Sequence, residues 1–208
     1  ADVIQAIDGP SIVIAGPGSG KTQTLAAKAL YIHSCFLLAG ILCVTHTRKA
    51  AEEMRGRITR QERSNSITIS TIHSLCYGIL KTSRRQSLKI LSHYDHAAII
   101  RLAAHTVGIE SDVREIAQSI SQTKLGLLAH NEERGEVVCE YERLKGQRLD
   151  YDDLLLLALE TVQLSGNGSP RPSHILVDEA QDLDPVQTQL IRRLARNSSN
   201  VTFFLDHN

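Results

Sequence analysis

Short runs of apolar, mostly β-branched residues recur along the chain, and a helical pattern follows each of the first four. Ser11-Ile12-Val13-Ile14-Ala15 comes first, then a glycine-rich turn and a helix from about Lys21 to His33. Ile41 to Thr45 precedes a helix through AAEEMRGRI, and Ile67 to Ser70 precedes a helix near Ile72 to Lys81. His174 to Asp178 precedes a helix from about Pro185 to Arg196, and Val201 to Leu205 is the last run. Strands apolar throughout their length, alternating with helices, predict an α/β fold whose parallel sheet is covered on both faces.

The rhythm breaks from about Ser83 to Gln147. That stretch is rich in Ala, Leu, Glu, Arg and Gln and reads as several short helices. It returns through an apolar helix from Tyr151 to Gln163, and SGNGSPRPS after it has the composition of a loop. The expected division is a core in two parts, 1–82 and 149–208, with a small helical insertion subdomain at 83–148.

The first apolar run empties into AGPGSGKT, Ala15 to Thr22. A strand before it and a helix after it are the context that a phosphate-binding P-loop requires. Small residues let backbone N–H groups curl around phosphate oxygens, and the helix N-terminus adds partial positive charge. Gly16, Pro17, Gly18, Ser19, Gly20, Lys21, Thr22 and Gln23 are therefore the candidate nucleotide cradle. Lys21 is expected at the β- and γ-phosphates, and the Thr22 hydroxyl on Mg²⁺. Ala15 stands where the strict pattern begins with Gly. The competing reading is a glycine-rich turn with an incidental lysine, which the strand, the helix and the Lys-Thr pair all oppose.

The fourth run ends in two acids, Asp178 and Glu179. Ligands of open α/β sheets bind at the carboxyl ends of the strands. Asp178 is placed to hold Mg²⁺, directly or through water, and Glu179 to orient and deprotonate an attacking water. A second carboxylate favours hydrolysis over transfer to an acceptor. Taken alone, the two acids read more simply as a helix N-terminus decorated with negative charge. Gln181 and Asp182 carry no chemical argument of their own.

Composition adds limits. Formal net charge is zero and aromatic residues make up 4%, with no Trp. Any grip on nucleic acid must then rest on backbone, hydroxyl, His and basic groups. Cys35, Cys43, Cys76 and Cys139 form no CxxC pair. They read as small buried residues in a reducing, cytoplasmic setting. The longest apolar run is too short for a bilayer, and no signal-peptide pattern opens the chain.

The segments AGPGSGKT, THTRKAAEEMRGRI, ITISTIHSLCYGIL, LDYDDLLLLAL and ILVDEAQDLDPVQTQLIRRL stand in the order of motifs I, Ia, Ib, Id and II of the UvrD/Rep-type superfamily 1 DNA helicases. The chain resembles that family over nearly its whole length, most loosely in the insertion. The resemblance implies a RecA-like P-loop fold. It also implies an ATP- and Mg²⁺-dependent motor that moves 3′ to 5′ on single-stranded DNA. By position, Lys21 and Glu179 are the catalytic groups, and Thr22 and Asp178 hold the metal. Thr45, His46, Thr47, Arg48, Thr71 and His73 fall in the strand-contacting motifs.

The sequence departs from the pattern in places. His46 replaces a stacking Phe, Arg48 an Asn, Gln23 an Arg, and Leu205 a Gly. VTFFLDHN resembles the start of motif III, whose Gln would follow Asn208. The family's adenine-reading Gln would precede Ala1, and Gln5 stands too near the P-loop to take its place. The second RecA-like motor domain, with its arginines, is the expected missing partner, so the chain alone is expected to be nearly inactive. Alternatives are a degenerate nucleic-acid-binding module, a subunit of a nuclease–helicase complex and a small-molecule kinase. The ordered THTRKAA and TIHSLC segments oppose the kinase.

Overall fold

The computed structural model describes residues 2–16, 18–61, 66–83, 87–128, 132–164, 172–195 and 200–207, without the side chains of residues 61, 132 and 133. Pro17, Arg196, Asn208 and most of the predicted SGNGSPRPS loop (165–171) lie outside the described residues. The described chain forms two compact units. One comprises Ala1–Ile79 with Leu159–Asn208, the other Leu80–Ala158.

The first unit is built on strands β1 (Ser11–Ala15), β2 (Ile41–Thr45), β3 (Ile67–Thr71), β4 (His174–Val177) and β5 (Asn200–Asp206). Every ladder is parallel, in the order β1-β5-β4-β2-β3. The predicted strands are present with small shifts at their ends: β3 continues to Thr71, and β4 stops at Val177, which leaves Asp178 just past the strand. β2 and β4 are buried at every position, as central parallel strands should be. The edge strand β1 alternates between partly buried and exposed positions instead.

Helix α1 (Asp2–Gln5) precedes β1, α2 (Lys21–Cys35) follows it, and α3 (Arg48–Gln61) follows β2. Leu25, Ala26, Ala29 and Ile32 of α2 and Met54 and Ile58 of α3 close on Ile41, Cys43, Leu176 and Phe204 of the sheet. Their 3–4 residue spacing is what puts them on one face of each helix. Lys28, buried in the same helix, donates to the carbonyls of Val3 (3.0 Å) and Ala6 (2.5 Å), and so holds α1 at its C-terminal end. Helix α4 (Ile72–Ser83) begins directly after β3, and α9 (Pro185–Leu194) links β4 to β5. The chain steps one way along the sheet from β1 to β2 and the other way from β4 to β5. Right-handed crossovers then place α2 and α9 on opposite faces.

In the second unit, helices α5 (His93–Val107), α6 (Val113–Lys124) and α7 (Glu132–Lys145) enclose Leu91, Ile99, Ile100, Ala103, Ala104, Ile116, Ile120, Val137 and Tyr141. Ser92 caps α5 by accepting from the N–H of Asp95, and Gly108 ends it at φ 81°. α8 (Tyr151–Leu164) opens with a reciprocal capping box. The N–H of Asp153 donates to Asp150 Oδ1 (2.9 Å), and the N–H of Asp150 donates to Asp153 Oδ2 (3.0 Å).

The same two acids anchor a buried ion network. Lys124 Nζ reaches Asp150 (2.5 Å), Glu142 (2.8 Å) and Asp153 (2.9 Å), and Lys145 Nζ reaches Glu142 and Asp153 at 2.6 Å. Tyr141 donates to Asp150 at 2.7 Å, and both ammonium groups sit over its ring. Glu142, Asp150 and Asp153 are close enough to bind a cation, but the ammonium groups of Lys124 and Lys145 already occupy that position. Burial by itself would raise the Asp150 carboxyl. The hydrogen bond and charge of Lys124 outweigh burial and hold the group far below the usual carboxylate range.

The four cysteines divide two and two. Cys43 and Cys76 are buried, and burial pushes each thiol up to about 12, with the Asp178 charge adding to the effect at Cys43. Cys35 and Cys139 are exposed, contrary to the expectation of four buried residues, because they sit on the solvent side of α2 and α7. No helix among the described residues is long and apolar enough to cross a membrane.

Removing one member of a buried ion network strands its partners. Asp150→Ala is therefore expected to destabilise the chain by about 3–5 kcal/mol in denaturant unfolding. Because the folded-state Asp150 is depressed, its contribution is complete above the ordinary carboxylate range and falls away as pH drops below it. The gap between wild type and variant should accordingly narrow in acid.

Candidate nucleotide and DNA site

The glycine-rich turn after β1 takes the shape that its residues permit. Gly18 (φ 73°) and Gly20 (φ 85°) both adopt left-handed backbone. A Cβ at Gly18 would meet nothing within 4 Å, and one at Gly20 only Gln23 Oε1 at 3.9 Å. Backbone conformation rather than space therefore requires glycine at both positions. The Ser19 N–H bonds the carbonyl of Gly16 (3.2 Å), which closes the turn. Gly20 is the N-cap of α2, and no side chain caps that end. A helix start without a side-chain cap, entered through glycines, suits an anion.

Lys21 is the first residue of α2, 7% exposed, and ion-paired with Asp206 at the end of β5. It also reaches the carbonyls of Gly16 (3.3 Å) and Ala15 (3.5 Å). Its pKa is raised, first by the Asp206 hydrogen bond, which outweighs burial, and then by the charges of Asp206, Glu179 and Asp178. Asp206 is correspondingly lowered by Lys21. Next along α2, the Thr22 hydroxyl donates to Asp178 Oδ2 at 2.9 Å.

Asp178 is 3% exposed, and its pKa is raised, chiefly by burial. Its second oxygen, Oδ1, is buried without a hydrogen-bond partner among the described residues. A buried, orphaned carboxylate oxygen beside a threonine hydroxyl is costly without a further ligand, and a hard cation such as Mg²⁺ takes just such oxygens. Glu179 follows at φ 48°, ψ 48°, the one non-glycine residue in left-handed backbone among the described residues. That strain sits beside the glycine-rich turn and turns the chain sharply into the short 3₁₀ segment Ala180–Asp182.

Lys21, Thr22, Asp178 and Glu179 thus gather at the carboxyl ends of β1, β4 and β5. Gln23 is exposed on the first turn of α2, and Pro17 lies outside the described residues. The predicted strand-contacting residues lie along the same carboxyl edge, past β2 and β3. Thr45 is 1% exposed and its hydroxyl donates to the carbonyl of Thr47 (3.1 Å), while Thr47 Oγ1 accepts the Ala50 N–H (3.1 Å). Thr71 Oγ1 donates to the Ser74 hydroxyl (3.0 Å) and accepts the Ser74 N–H (3.3 Å). These three hydroxyls support the starts of α3 and α4. His46 and Arg48 are exposed. His73 is partly buried, and burial lowers its pKa, countered by Asp184 and reinforced by His46.

Two site residues escaped sequence reasoning. Asp206 is the partner of Lys21, yet 185 residues separate them. The only sequence signal was an acid at the end of the last apolar run. Gln181 donates to Glu179 Oε2 (2.7 Å) and accepts the Asp206 N–H (3.1 Å). Its neighbour two residues back was its only clue.

The family described as the UvrD/REP helicase N-terminal domain matches residues 1–208. Among curated proteins, the chain is 35% identical to the ATP-dependent DNA helicase Rep of Buchnera aphidicola subsp. Baizongia pistaciae, over 98% of this chain and 34% of that protein. It is 28% identical to the ATP-dependent DNA helicase PcrA of Bacillus subtilis, over 96% and 31%. It is also 28% identical to the ATP-dependent DNA helicase UvrD1 of Mycobacterium bovis, over 92% and 29%. The chain spans about a third of the length of these relatives.

Asp178→Asn removes the penalised charge and keeps an acceptor for Thr22. The metal-free variant is expected to be at least as stable as wild type at neutral pH in thermal melts. Calorimetry of ATP-analogue binding should show the magnesium-dependent part weakened by about tenfold or more.

Proposed function

The chain belongs to the UvrD/REP helicase family, and on that premise we propose that it is the ATP- and DNA-binding part of a motor. The motor couples ATP hydrolysis to 3′-to-5′ movement on single-stranded DNA. The observation that carries this reading is the meeting of Thr22 and Asp178, 156 residues apart in sequence, beside Lys21 and Glu179 at one sheet edge.

The residues present fit Mg²⁺–ATP. The backbone of the turn from Gly16 to Gly20 and the start of α2, with Gln23 on its first turn, cradle the phosphates. Lys21 exchanges its carboxylate partner for the β- and γ-phosphate oxygens. Thr22 Oγ1 and the orphaned Asp178 carboxylate would hold the ion. When bound there, the ion would supply positive charge against the phosphates. Glu179 orients the attacking water and accepts its proton.

Along the rest of the edge, exposed His46 and Arg48, with His73, are the groups proposed to meet the DNA strand. Thr45, Thr47 and Thr71 shape the helix starts whose N–H groups face phosphate, so the grip reads backbone and not base. Residues 83–148 are proposed as the helical insertion subdomain of this motor part. The remaining partner is a second RecA-like domain supplying arginines to the γ-phosphate. Unpaired cysteines accord with work in the cytoplasm.

In the full-length protein carrying these residues, single-stranded DNA should stimulate ATP hydrolysis, and Lys21→Ala should abolish the stimulation. A duplex with a 3′ tail should be unwound and one with a 5′ tail should not. Without the second domain's arginines, residues 1–208 alone should hydrolyse ATP about 10³-fold more slowly or worse. Robust DNA-stimulated hydrolysis by the isolated chain would contradict the assignment.

A further inference from the structure

We propose that Gln181 is a positioning residue. On this assignment its amide fixes the Glu179 carboxylate to the end of β5, so that the hydrolytic base is held in register with the Lys21 phosphate site. The inference rests on the reading of Glu179 as the base.

Three observations converge on Gln181. Its Nε2 donates to Glu179 Oε2 at 2.7 Å, a short bond to a charged acceptor. Its Oε1 accepts the backbone N–H of Asp206 at 3.1 Å. The Asp206 side chain in turn is paired with Lys21. One amide therefore spans from the base to the strand end that carries the lysine's partner. Glu179 needs such a tether, because its backbone is in the strained left-handed region and a glutamate side chain has three freely turning bonds. Gln181 itself is exposed. It contributes little burial, and a role in the core does not explain its placement.

When Lys21 moves from Asp206 to a phosphate, the Asp206 side chain is released while its backbone N–H keeps Gln181. The base then stays aligned through the exchange. Glutamine meets this demand because it offers a donor and an acceptor on one planar group. Glutamate there could accept from Asp206 but not donate to Glu179. Methionine matches the length, cannot donate and accepts only weakly.

The test uses the full-length protein with single-stranded DNA, comparing Gln181→Met, Gln181→Glu, Glu179→Gln and the double variant Glu179→Gln/Gln181→Met. Both Gln181 variants should lower kcat by about 10–100-fold, the scale of a misplaced reacting group, with the affinity for a non-hydrolysable Mg²⁺–ATP analogue unchanged within about twofold. The double variant should be no slower than Glu179→Gln alone, since the glutamine acts through the glutamate. Wild-type kcat in Gln181→Met, or a further equal loss in the double variant, overturns the proposal, as does near-normal turnover by Gln181→Glu. Undiminished hydrolysis by Glu179→Gln would instead overturn the reading of Glu179 as the base.

Discussion

A single ammonium group held among carboxylates organises the carboxyl edge of this sheet. Lys21 enters from the start of α2, and Asp206 meets it from the end of β5, with Asp178 and Glu179 contributing their fields. Three negative groups around one positive group leave the edge with excess negative charge, part of it on a buried oxygen without a partner. Such an arrangement is poorly satisfied on its own. In the proposed complex, phosphate oxygens would take the lysine and a divalent cation would take the Asp178 oxygen that lacks a partner. The orphaned Asp178 oxygen beside the Thr22 hydroxyl supports the proposed cation site independently of the family.

The parallel sheet makes this meeting possible. β5 lies between β1 and β4, so the last described strand is neighbour to the first. Both carry their functional residue at the same end. The strained Glu179 and the left-handed glycines of the phosphate turn lie at that end as well. Conformational strain is thus concentrated at the proposed nucleotide site, while the central strands β2 and β4 are buried at every position. The second unit shows the opposite use of charge. Each of its three acids is ion-paired with Lys124, Lys145 or both, and both lysines sit over Tyr141, so that network is a structural anchor.

Much of this was legible in the sequence because the relevant signals are local. Short apolar, mostly β-branched runs announced the strands, and a glycine-rich turn before Lys-Thr announced the candidate cradle. The acids after Val177 announced the second half of the site. What stayed hidden depends on which strands are neighbours. Asp206 could be matched to Lys21 only once β5 was known to lie beside β1. Gln181 acquired a role only when its two partners were located. The exposure of Cys35 and Cys139 depends on which way α2 and α7 turn, and local hydrophobicity misjudged it. Likewise, the local bonds that the hydroxyls of Thr45, Thr47 and Thr71 make at the starts of α3 and α4 were not legible in the sequence.

The most direct measurement of the central claim is a crystal structure of the protein with Mg²⁺ and a slowly hydrolysed ATP analogue. The account predicts that Lys21 Nζ leaves Asp206 for a phosphate oxygen. It also predicts that the ion lies on the Thr22–Asp178 side, drawing in the carboxylate oxygen that now lacks a partner. A nucleotide bound elsewhere on the sheet, or one bound at this edge with the Lys21–Asp206 pair intact, would contradict it.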